Sequence, residues 1–201
     1  MVTMTDSTGD RIVAAATTEF SQHGIAGARI ERIARAARTS KERVYAYYRS
    51  KDALYRFVAA RELAAIAEAT RLDPTDLPGY AGRIHDYFVA HPERLRLMNW
   101  GQLEVTSDAP QPDDPFQLSI RRKIDQLRAA QQAGDLDPAW DPIDILVFVN
   151  QIAMSWAAQP HVGLDSTEDR ASFLAARRAA IVAAVQRLFP AVNSVPTPEE
   201  H

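Results

Sequence analysis

Apolar residues recur along this chain three and four positions apart, which is the spacing of one face of an α-helix. Ile12, Ala16 and Phe20 show this spacing near the N-terminus, and similar stripes follow along most of the chain. No stretch alternates apolar and polar residues over the length of a β-strand. Most of the twelve prolines fall between the stripes or at their ends, where a missing N–H does least harm to a helix. The pattern predicts an all-α fold.

The stripes predict about nine helices in two parts. Short helices are expected over residues 10–23, 29–36 and 40–48, and further ones over 51–72, 80–90, 92–105, 116–133, 142–158 and 168–189. We expect residues 1–50 to form an N-terminal module and residues 51–190 a larger helical body. Gly24 is expected to end the first helix in a left-handed conformation. Residues 1–9 and the tail 191–201 lack such stripes, and we expect them to be disordered.

Composition favours a soluble protein of a reducing compartment. Hydrophobic residues make up 46% of the 201 residues and charged residues 24%, as in ordinary globular domains. There is no cysteine, so disulfides and thiolate chemistry are excluded. The N-terminus lacks the apolar core of a signal peptide, and no apolar run reaches the roughly 18 residues that a membrane-spanning helix needs. We therefore expect a cytoplasmic protein without a membrane partner.

The net charge of −3 hides one strongly basic segment. Residues 29–51 contain eight arginines and lysines against two glutamates, so this segment carries +6 and the rest of the chain −9. A concentrated basic patch fits a polyanionic partner at one end of the protein. A solvated helix face that happens to be basic is the more common explanation of a charge run, and charge alone leaves it open.

The basic segment also has the apolar pattern of a helix-turn-helix. Ile30, Ile33 and Ala34 give its first helix one apolar face, and Val44 with Tyr48 give the second helix its own. The three residues "ART" between the two helices match the length of the turn that this motif needs. The segment is therefore predicted to be a helix-turn-helix.

The second helix of this pair can begin in two ways. Ser40 can cap it alone, or Thr39 and Glu42 can form a capping box. If this helix enters a major groove of DNA, the exposed residues of its first turns meet the base edges. Those residues are Ser40, Lys41 and Arg43, with Glu42 as a further candidate. Arg43 can bridge O6 and N7 of guanine.

Aromatic residues are interleaved with the basic ones. Tyr45 and Tyr47 each offer a hydroxyl to phosphate and a ring edge to a sugar or a thymine methyl group. Lys51 follows Ser50, a candidate cap of the next helix, and its ammonium together with the first N–H groups of that helix suits a phosphate. Basic and tyrosine side chains together indicate a DNA-binding surface.

Residues 24–54 resemble the N-terminal module of the tetracycline-repressor (TetR) family of bacterial transcription factors. The resemblance rests on "IERIARAA" followed by "TSKERVYAYYRSKDAL". Beyond this module, the chain resembles the family only in its length, its number of helices and its long last helix. The resemblance implies a homodimeric DNA-binding regulator without a cofactor.

The resemblance also implies roles for individual residues. Tyr48 is expected to be the buried aromatic residue of the module. Arg38 stands where the family usually has glycine, so it is expected to adopt a left-handed conformation at some cost. Ala28 and Arg29 replace a pair of threonines, and Arg29 can supply the lost phosphate contact. The predicted DNA-binding residues are Arg29, Thr39, Ser40, Lys41, Arg43, Tyr45, Tyr47 and Lys51.

The last two predicted helices are candidates for a dimer interface. One is apolar on most sides, and the other carries two rows of alanines that allow close helix approach. A reader of palindromic sites needs a two-fold partner, although the same residues can equally form an intramolecular core. The predicted interface residues are Ile145, Val149, Ile152, Trp156, Ala176, Ala180, Ile181, Ala184, Val185 and Leu188.

Aromatic, methionine and amide side chains of the middle helices are candidates for a ligand pocket. The resemblance implies a cavity for an unknown small-molecule effector somewhere in the body, and the sequence does not specify its chemistry. Taken singly, each apolar candidate is more often a core residue. The candidate pocket residues are His85, Phe88, Met98, Asn99, Trp100, Gln102, Phe116, Asn150 and Met154.

Two other functions were weighed. An enzyme is disfavoured, because the chain has no Gly-x-Ser-x-Gly elbow and no glycine-rich phosphate loop, and its five histidines include no i, i+4 pair for a metal. A helical adaptor that binds only proteins leaves the basic and aromatic segment without a role. We therefore expect a repressor that a small molecule releases from a palindromic double-stranded DNA operator, with no catalytic residues and no metal.

Overall fold

The computed structural model describes residues 7–104, 115–157 and 169–190. Within these ranges the chain forms nine α-helices and no β-strand, so the all-α prediction is confirmed. The helices are α1 (Thr8–Gly27), α2 (Ile30–Ala36), α3 (Lys41–Tyr47), α4 (Lys51–Ala69), α5 (Leu77–Ala90), α6 (Pro92–Glu104), α7 (Pro115–Ala133), α8 (Pro142–Met154) and α9 (Arg170–Leu188). None of them is long and apolar enough to cross a membrane.

The first helix begins earlier than its apolar stripe indicates. Ser7 caps it, because the Ser7 Oγ accepts the Asp10 N–H at 3.1 Å. The prediction of disorder is therefore wrong for residues 7–9, while residues 1–6 and the predicted disordered tail 191–201 lie outside the described part. The stripe itself is confirmed, since Ile12 and Phe20 are completely buried.

Gly24 interrupts α1 rather than ending it. Its φ of 69° is positive, as predicted, but its ψ of −177° places it in a region that only glycine occupies readily, outside the left-handed helical one. The chain then makes a further helical turn to Gly27, which is held to α6 because the Ala26 N–H donates to the Glu104 carboxylate at 2.7 Å. The ring of Trp100 lies against Gly24 and leaves no room for a side chain there.

The chain divides into two compact units. One comprises Met1–Ala65 with His91–Gln111, and the other comprises Ile66–Ala90 with Pro112–His201. The first unit is thus larger than the module predicted for residues 1–50, since it includes most of α4 and all of α6. One reason is a buried hydrogen bond between these two helices, which the Tyr55 hydroxyl donates to the Leu97 carbonyl at 3.2 Å.

Each unit has its own apolar core. In the first unit α1, α3, α4 and α6 contribute the completely buried residues Phe20, Val44, Leu54, Val58 and Leu97. In the second unit α5 packs against α8 and α9. Its buried residues include Tyr80, Phe88, Ile145, Val149, Ile181 and Val185.

Gly24→Ala should destabilise the first unit strongly. A Cβ at this position would collide with the Glu104 carboxylate and lie 3.0 Å from the Trp100 ring, and the backbone conformation itself costs a non-glycine residue about 1–2 kcal/mol. Gly134→Ala is the matched control, because Gly134 also has a positive φ (83°) but its Cβ would meet nothing within 4 Å. Urea denaturation followed by circular dichroism should show the larger loss for Gly24→Ala, and equal losses would contradict this account.

Candidate nucleic-acid interface

The turn between α2 and α3 is a hydrogen-bonded helix end. The Arg38 N–H donates to the Arg35 carbonyl at 3.2 Å, and the Thr39 N–H donates to the Ala34 carbonyl at 2.9 Å. This pair of bonds is the Schellman motif, which requires a left-handed residue at its centre. Arg38 occupies that position with a φ of 52°, as predicted. The chain therefore accepts backbone strain at an exposed arginine.

Ser40 fixes the start of α3. Its Oγ accepts the Arg43 N–H at 3.1 Å, so of the two predicted caps the structure contains Ser40 and not Thr39. Val44 is the only residue of α3 that is buried, and its side chain is 0% exposed. The other residues of the helix are consequently left on the surface.

Two tyrosines of α3 lie exposed beside an arginine. Tyr45 is 40% exposed and Tyr47 is 47% exposed, so both rings are available to a partner. The guanidinium of Arg43 lies 5.8 Å from the centre of the Tyr47 ring. Tyr48 packs against the core and contacts Phe57, with ring centres 5.2 Å apart, but it is only half-buried, so the prediction that it is the buried aromatic residue of the module is not met.

Lys41, which was predicted to face the groove, forms an ion pair with Glu31 of α2. The hydrogen bond from Lys41 holds the pKa of Glu31 below its usual value, and the Glu31 carboxylate raises the pKa of Lys41. Both side chains are exposed, so the pair contributes little to stability. A phosphate that binds Lys41 has to compete with Glu31.

Lys51, which was predicted to hold a phosphate, also has partners within the protein. Its Nζ donates to the carbonyls of Ala26 at 3.1 Å and Ala28 at 3.3 Å, and so ties the end of α1 to the start of α4. An ammonium has three N–H donors, and one remains for a phosphate. The predicted cap of α4 is present, because Ser50 Oγ accepts the Ala53 N–H at 3.0 Å.

Arg29 lies exposed immediately before α2, and its backbone N–H donates to Glu19 Oε1 at 2.9 Å. Glu19 also accepts a hydrogen bond from the side chain of Arg32 at 2.6 Å. Burial raises the pKa of Glu19, but the hydrogen bonds from Arg32 and from the Arg29 N–H outweigh it and leave the pKa below its usual value. Glu19 thereby fixes the start of α2 and leaves the guanidinium of Arg29 outside.

The structure shows a second basic surface that sequence reasoning missed. It is an open groove between α1 and α2 whose charged lining residues are Arg11, Glu19, Arg32, Arg35 and Arg38. Arg11 donates to the Ala37 carbonyl at 3.1 Å and so closes the end of α2. The arginines of α2 and its turn recur every three residues. This spacing is the feature of the sequence from which the groove could have been predicted.

The predicted pocket residues are divided between the two units. Met98, Asn99, Trp100 and Gln102 belong to the first unit, whereas His85, Phe88, Asn150 and Met154 belong to the second. Trp100 packs against Gly24, and the side chain of Phe116 lies outside the described part. His85 and Phe88 are buried, and burial lowers the pKa of His85. The pocket remains a prediction.

Sequence reasoning missed Lys123, the only lysine after Lys51. Its Nζ donates to the Tyr80 hydroxyl at 3.0 Å, and this hydroxyl in turn donates to Asn150 Oδ1 at 3.3 Å. Burial raises the pKa of Tyr80 to about 12 and lowers the pKa of Lys123. Within the described residues, no group of three His, Asp or Glu side chains is placed to hold a metal ion.

Four of the predicted dimer residues cannot serve an interface. Ile145, Val149, Ile181 and Val185 are at most 2% exposed, because they form the contact of α8 and α9 with the rest of the second unit. Their surface is already covered, so that part of the prediction is wrong. The other six keep exposed surface: Ile152, Trp156, Ala184 and Leu188 are half-buried, and Ala176 and Ala180 are exposed. The exposed apolar residues of α8 are instead Ile143, Val147 and Phe148.

A helix-turn-helix with an exposed, basic and tyrosine-bearing second helix defines a DNA-binding module. Known proteins agree with this assignment. Residues 12–58 match the family of bacterial regulatory proteins named after TetR, and residues 76–187 match the tetracyclin repressor-like C-terminal domain. The chain therefore belongs to the TetR family of transcriptional regulators.

Individual relatives are similar over most of their length. The HTH-type transcriptional repressor SCO4008 of Streptomyces coelicolor is 39% identical over 153 residues, which cover 76% of this chain and 79% of the relative. The crystal structure of SCO4942 from Streptomyces coelicolor, described as a transcriptional regulator, is 56% identical with a TM-score of 0.82, over 92% of this chain and 99% of that one. A structure from Shewanella sp. PV-4 assigned to the TetR family shares the fold, at 16% identity and a TM-score of 0.66, over 91% of this chain and 98% of that one.

Arg38→Gly should stabilise the protein by about 1 kcal/mol, because glycine adopts a positive φ without the steric cost that an arginine bears. Arg35→Gly, the same chemical change three residues earlier in helical conformation, should instead destabilise it by about 0.5–1 kcal/mol. Thermal unfolding of the two variants measures both signs. Loss of stability in Arg38→Gly would show that the arginine side chain makes a contact worth more than the strain.

Proposed function

We propose that this protein is a homodimeric repressor that reads a palindromic operator with α3 and leaves it when a small molecule binds the helical body. The main support for the proposal is the exposed surface of α3. The rest of the module holds this helix at its start, at its end and at its single buried residue. The predicted DNA-binding residues remain proposals. Repression is favoured over activation because the relative SCO4008, which aligns with most of the chain, is named a transcriptional repressor.

Arg43 is the best-placed residue for reading bases. It lies in the first turn of α3, is exposed, and forms no ion pair with any described residue. Stacking near Tyr47 limits the orientations of its guanidinium before DNA binds. The exposed surface of α3 also carries Tyr45 and Tyr47, and Ser40 lies exposed at the start of the helix. Lys41 and Lys51 have competing partners inside the protein, so we assign them to phosphates and Arg43 to a base.

Dimerisation is proposed to use the exposed apolar surface of α8 and α9. Ile143 and Val147 are each 47% exposed and lie one helical turn apart, and Phe148 adjoins them. In α9 the exposed alanines 175, 176, 179 and 180 allow a second helix to approach closely. Exposed apolar rows of this kind mark interaction surfaces, and a reader of palindromic DNA needs a second copy of itself. The interface is therefore the outward side of the two helices named from the sequence.

Ligand release is proposed to act through α4, the 19-residue helix that follows the recognition helix. Two recognition helices reach successive major grooves only when they are about 34–36 Å apart. A ligand that binds better to a different spacing shifts the dimer away from the operator, and a ligand with equal affinity for both spacings does nothing. Equally tight operator binding with and without every ligand of the body would rule this mechanism out.

Arg43→Ala should relax the base preference at one position of each half-site, because an arginine–guanine contact contributes roughly 1–3 kcal/mol of discrimination. Lys51→Ala should instead weaken binding to all sequences and reduce the slope of log K against log salt by about one unit per protomer. Competition binding with single-base variants of the operator measures the first effect and a salt titration the second. Lys51→Arg, which keeps the charge, is the control for the slope. A uniform loss for Arg43→Ala would exclude base reading by that residue.

Val147→Asp should raise the dimer dissociation constant at least about 100-fold, because an unpaired carboxylate buried in an interface costs roughly 3 kcal/mol or more. Light scattering coupled to size-exclusion chromatography measures the oligomeric state over a dilution series. Leu103→Asp is the control, since Leu103 is also an exposed apolar residue (76%) but belongs to the first unit. A dimer that survives Val147→Asp unchanged would place the interface elsewhere.

A further inference from the structure

The second unit contains one lysine, Lys123, and that lysine forms no ion pair with an acidic residue of the described part of the chain. Apart from histidines, all other basic residues after Lys51 are arginines. Lys123 of α7 is half-buried, and its hydrogen bond is to the neutral hydroxyl of Tyr80 at 3.0 Å. No carboxylate of the described residues forms an ion pair with Lys123, and burial is the only cause that shifts its pKa. This is an ammonium removed from part of its water without a counter-charge.

A partly buried cation without a counter-charge is energetically unfavourable in the folded protein. Desolvation penalises the charged form, and a neutral phenol compensates less than a carboxylate does. The lowered pKa of Lys123 reflects the same penalty. An anion placed against the ammonium would form a charge-assisted hydrogen bond and remove the penalty. The arrangement therefore favours binding of an anion over binding of a neutral molecule of equal shape.

The neighbours of Lys123 limit what kind of anion fits. Tyr80 keeps its proton well above neutral pH, since burial raises its pKa to about 12, so its hydroxyl can turn from Asn150 and donate to a ligand. Lys123 and Tyr80 then present two donors 3.0 Å apart, which two oxygens of one carboxylate can accept. Arg83, the other cation that acts on Tyr80, is paired with Asp76 at 3.3 Å. Lys123 therefore offers one positive charge that no described carboxylate neutralises, and this charge matches an anion with one negative charge.

We propose that the effector of the helical body carries a single carboxylate, which Lys123 and Tyr80 hold while Asn150 contacts a neighbouring polar group. The proposal rests on the proposed function, in which the body binds an effector, and adds its chemical class. Lys123 and Asn150 are both half-buried, so each keeps some surface that a ligand can contact. Tyr80 is 1% exposed and gives the site a fixed wall on α5.

The test compares carboxylates with their own primary amides, which keep the shape and remove the charge. The probes are straight-chain carboxylates from acetate to decanoate, benzoate and 2-naphthoate, each titrated by calorimetry into the full-length protein without DNA. The variants are Lys123→Met, which removes the charge, Lys123→Arg, which keeps it, and Arg122→Gln as a control that removes an exposed charge from the same helix. Circular dichroism checks that each variant is folded.

We expect at least one carboxylate to bind roughly tenfold or more tightly than its amide, as a charge-assisted hydrogen bond predicts. This preference should persist in Arg122→Gln and Lys123→Arg and disappear in Lys123→Met. Carboxylates that bind no better than their amides, including binding by neither, or a preference that survives in Lys123→Met, would overturn the proposal. The titration contains no DNA, so it tests ligand binding separately from release of the operator. If the carboxylate binds through Lys123 but operator affinity does not change, the proposed release mechanism fails and the carboxylate site stands.

Discussion

The recognition surface depends on how a seven-residue helix is held in place. A helix of this length is not stable by itself in water, so α3 exists only through its contacts with the rest of the module. Ser40 satisfies an N–H at its start, and Val44 is its single buried anchor. Tyr48 closes its end against the core. With one buried residue in seven, nearly the whole of α3 is available to a partner.

Several basic residues of the N-terminal segment form contacts within the protein. Lys41 is paired with Glu31, Lys51 holds two carbonyls at the end of α1, and Arg32 is bound to Glu19. These interactions fix the positions of α1, α2 and α4 around α3. Fewer cations are therefore available to bind DNA than the net charge of residues 29–51 indicates. We therefore assign base reading to Arg43, which forms no ion pair with any described residue.

Much of the fold could be predicted because helical periodicity is a local property. The helix-turn-helix followed from the apolar residues of two short helices, and the left-handed conformation of Arg38 followed from its place in the motif. The partners of Lys41 and Lys51 could not be predicted, since they lie 10 to 25 residues away in the sequence. The inclusion of α6 in the first unit depends on a still more distant contact, between Tyr55 and Leu97, which are 42 residues apart.

The candidate sites of the body were predicted less well, for a physical reason. α8 is apolar on most sides, so its pattern does not say which side faces the core, and Ile145 and Val149 proved to be core residues. Lys123 escaped notice because a lone lysine on an amphipathic helix normally faces water. Its distinguishing property is that no carboxylate of the described residues pairs with it, which only a three-dimensional structure reveals.

Our central proposal is that α3 reads the sequence of DNA as part of a two-fold dimer. Selection of the purified protein on a random pool of duplexes, at about 0.15 M salt, tests this most directly because non-specific binding is weak under those conditions. The account predicts an enriched palindrome whose half-sites lie about one helical turn apart. No enrichment, with only salt-sensitive binding to every duplex, would contradict it and would make the basic segment a general polyanion-binding surface.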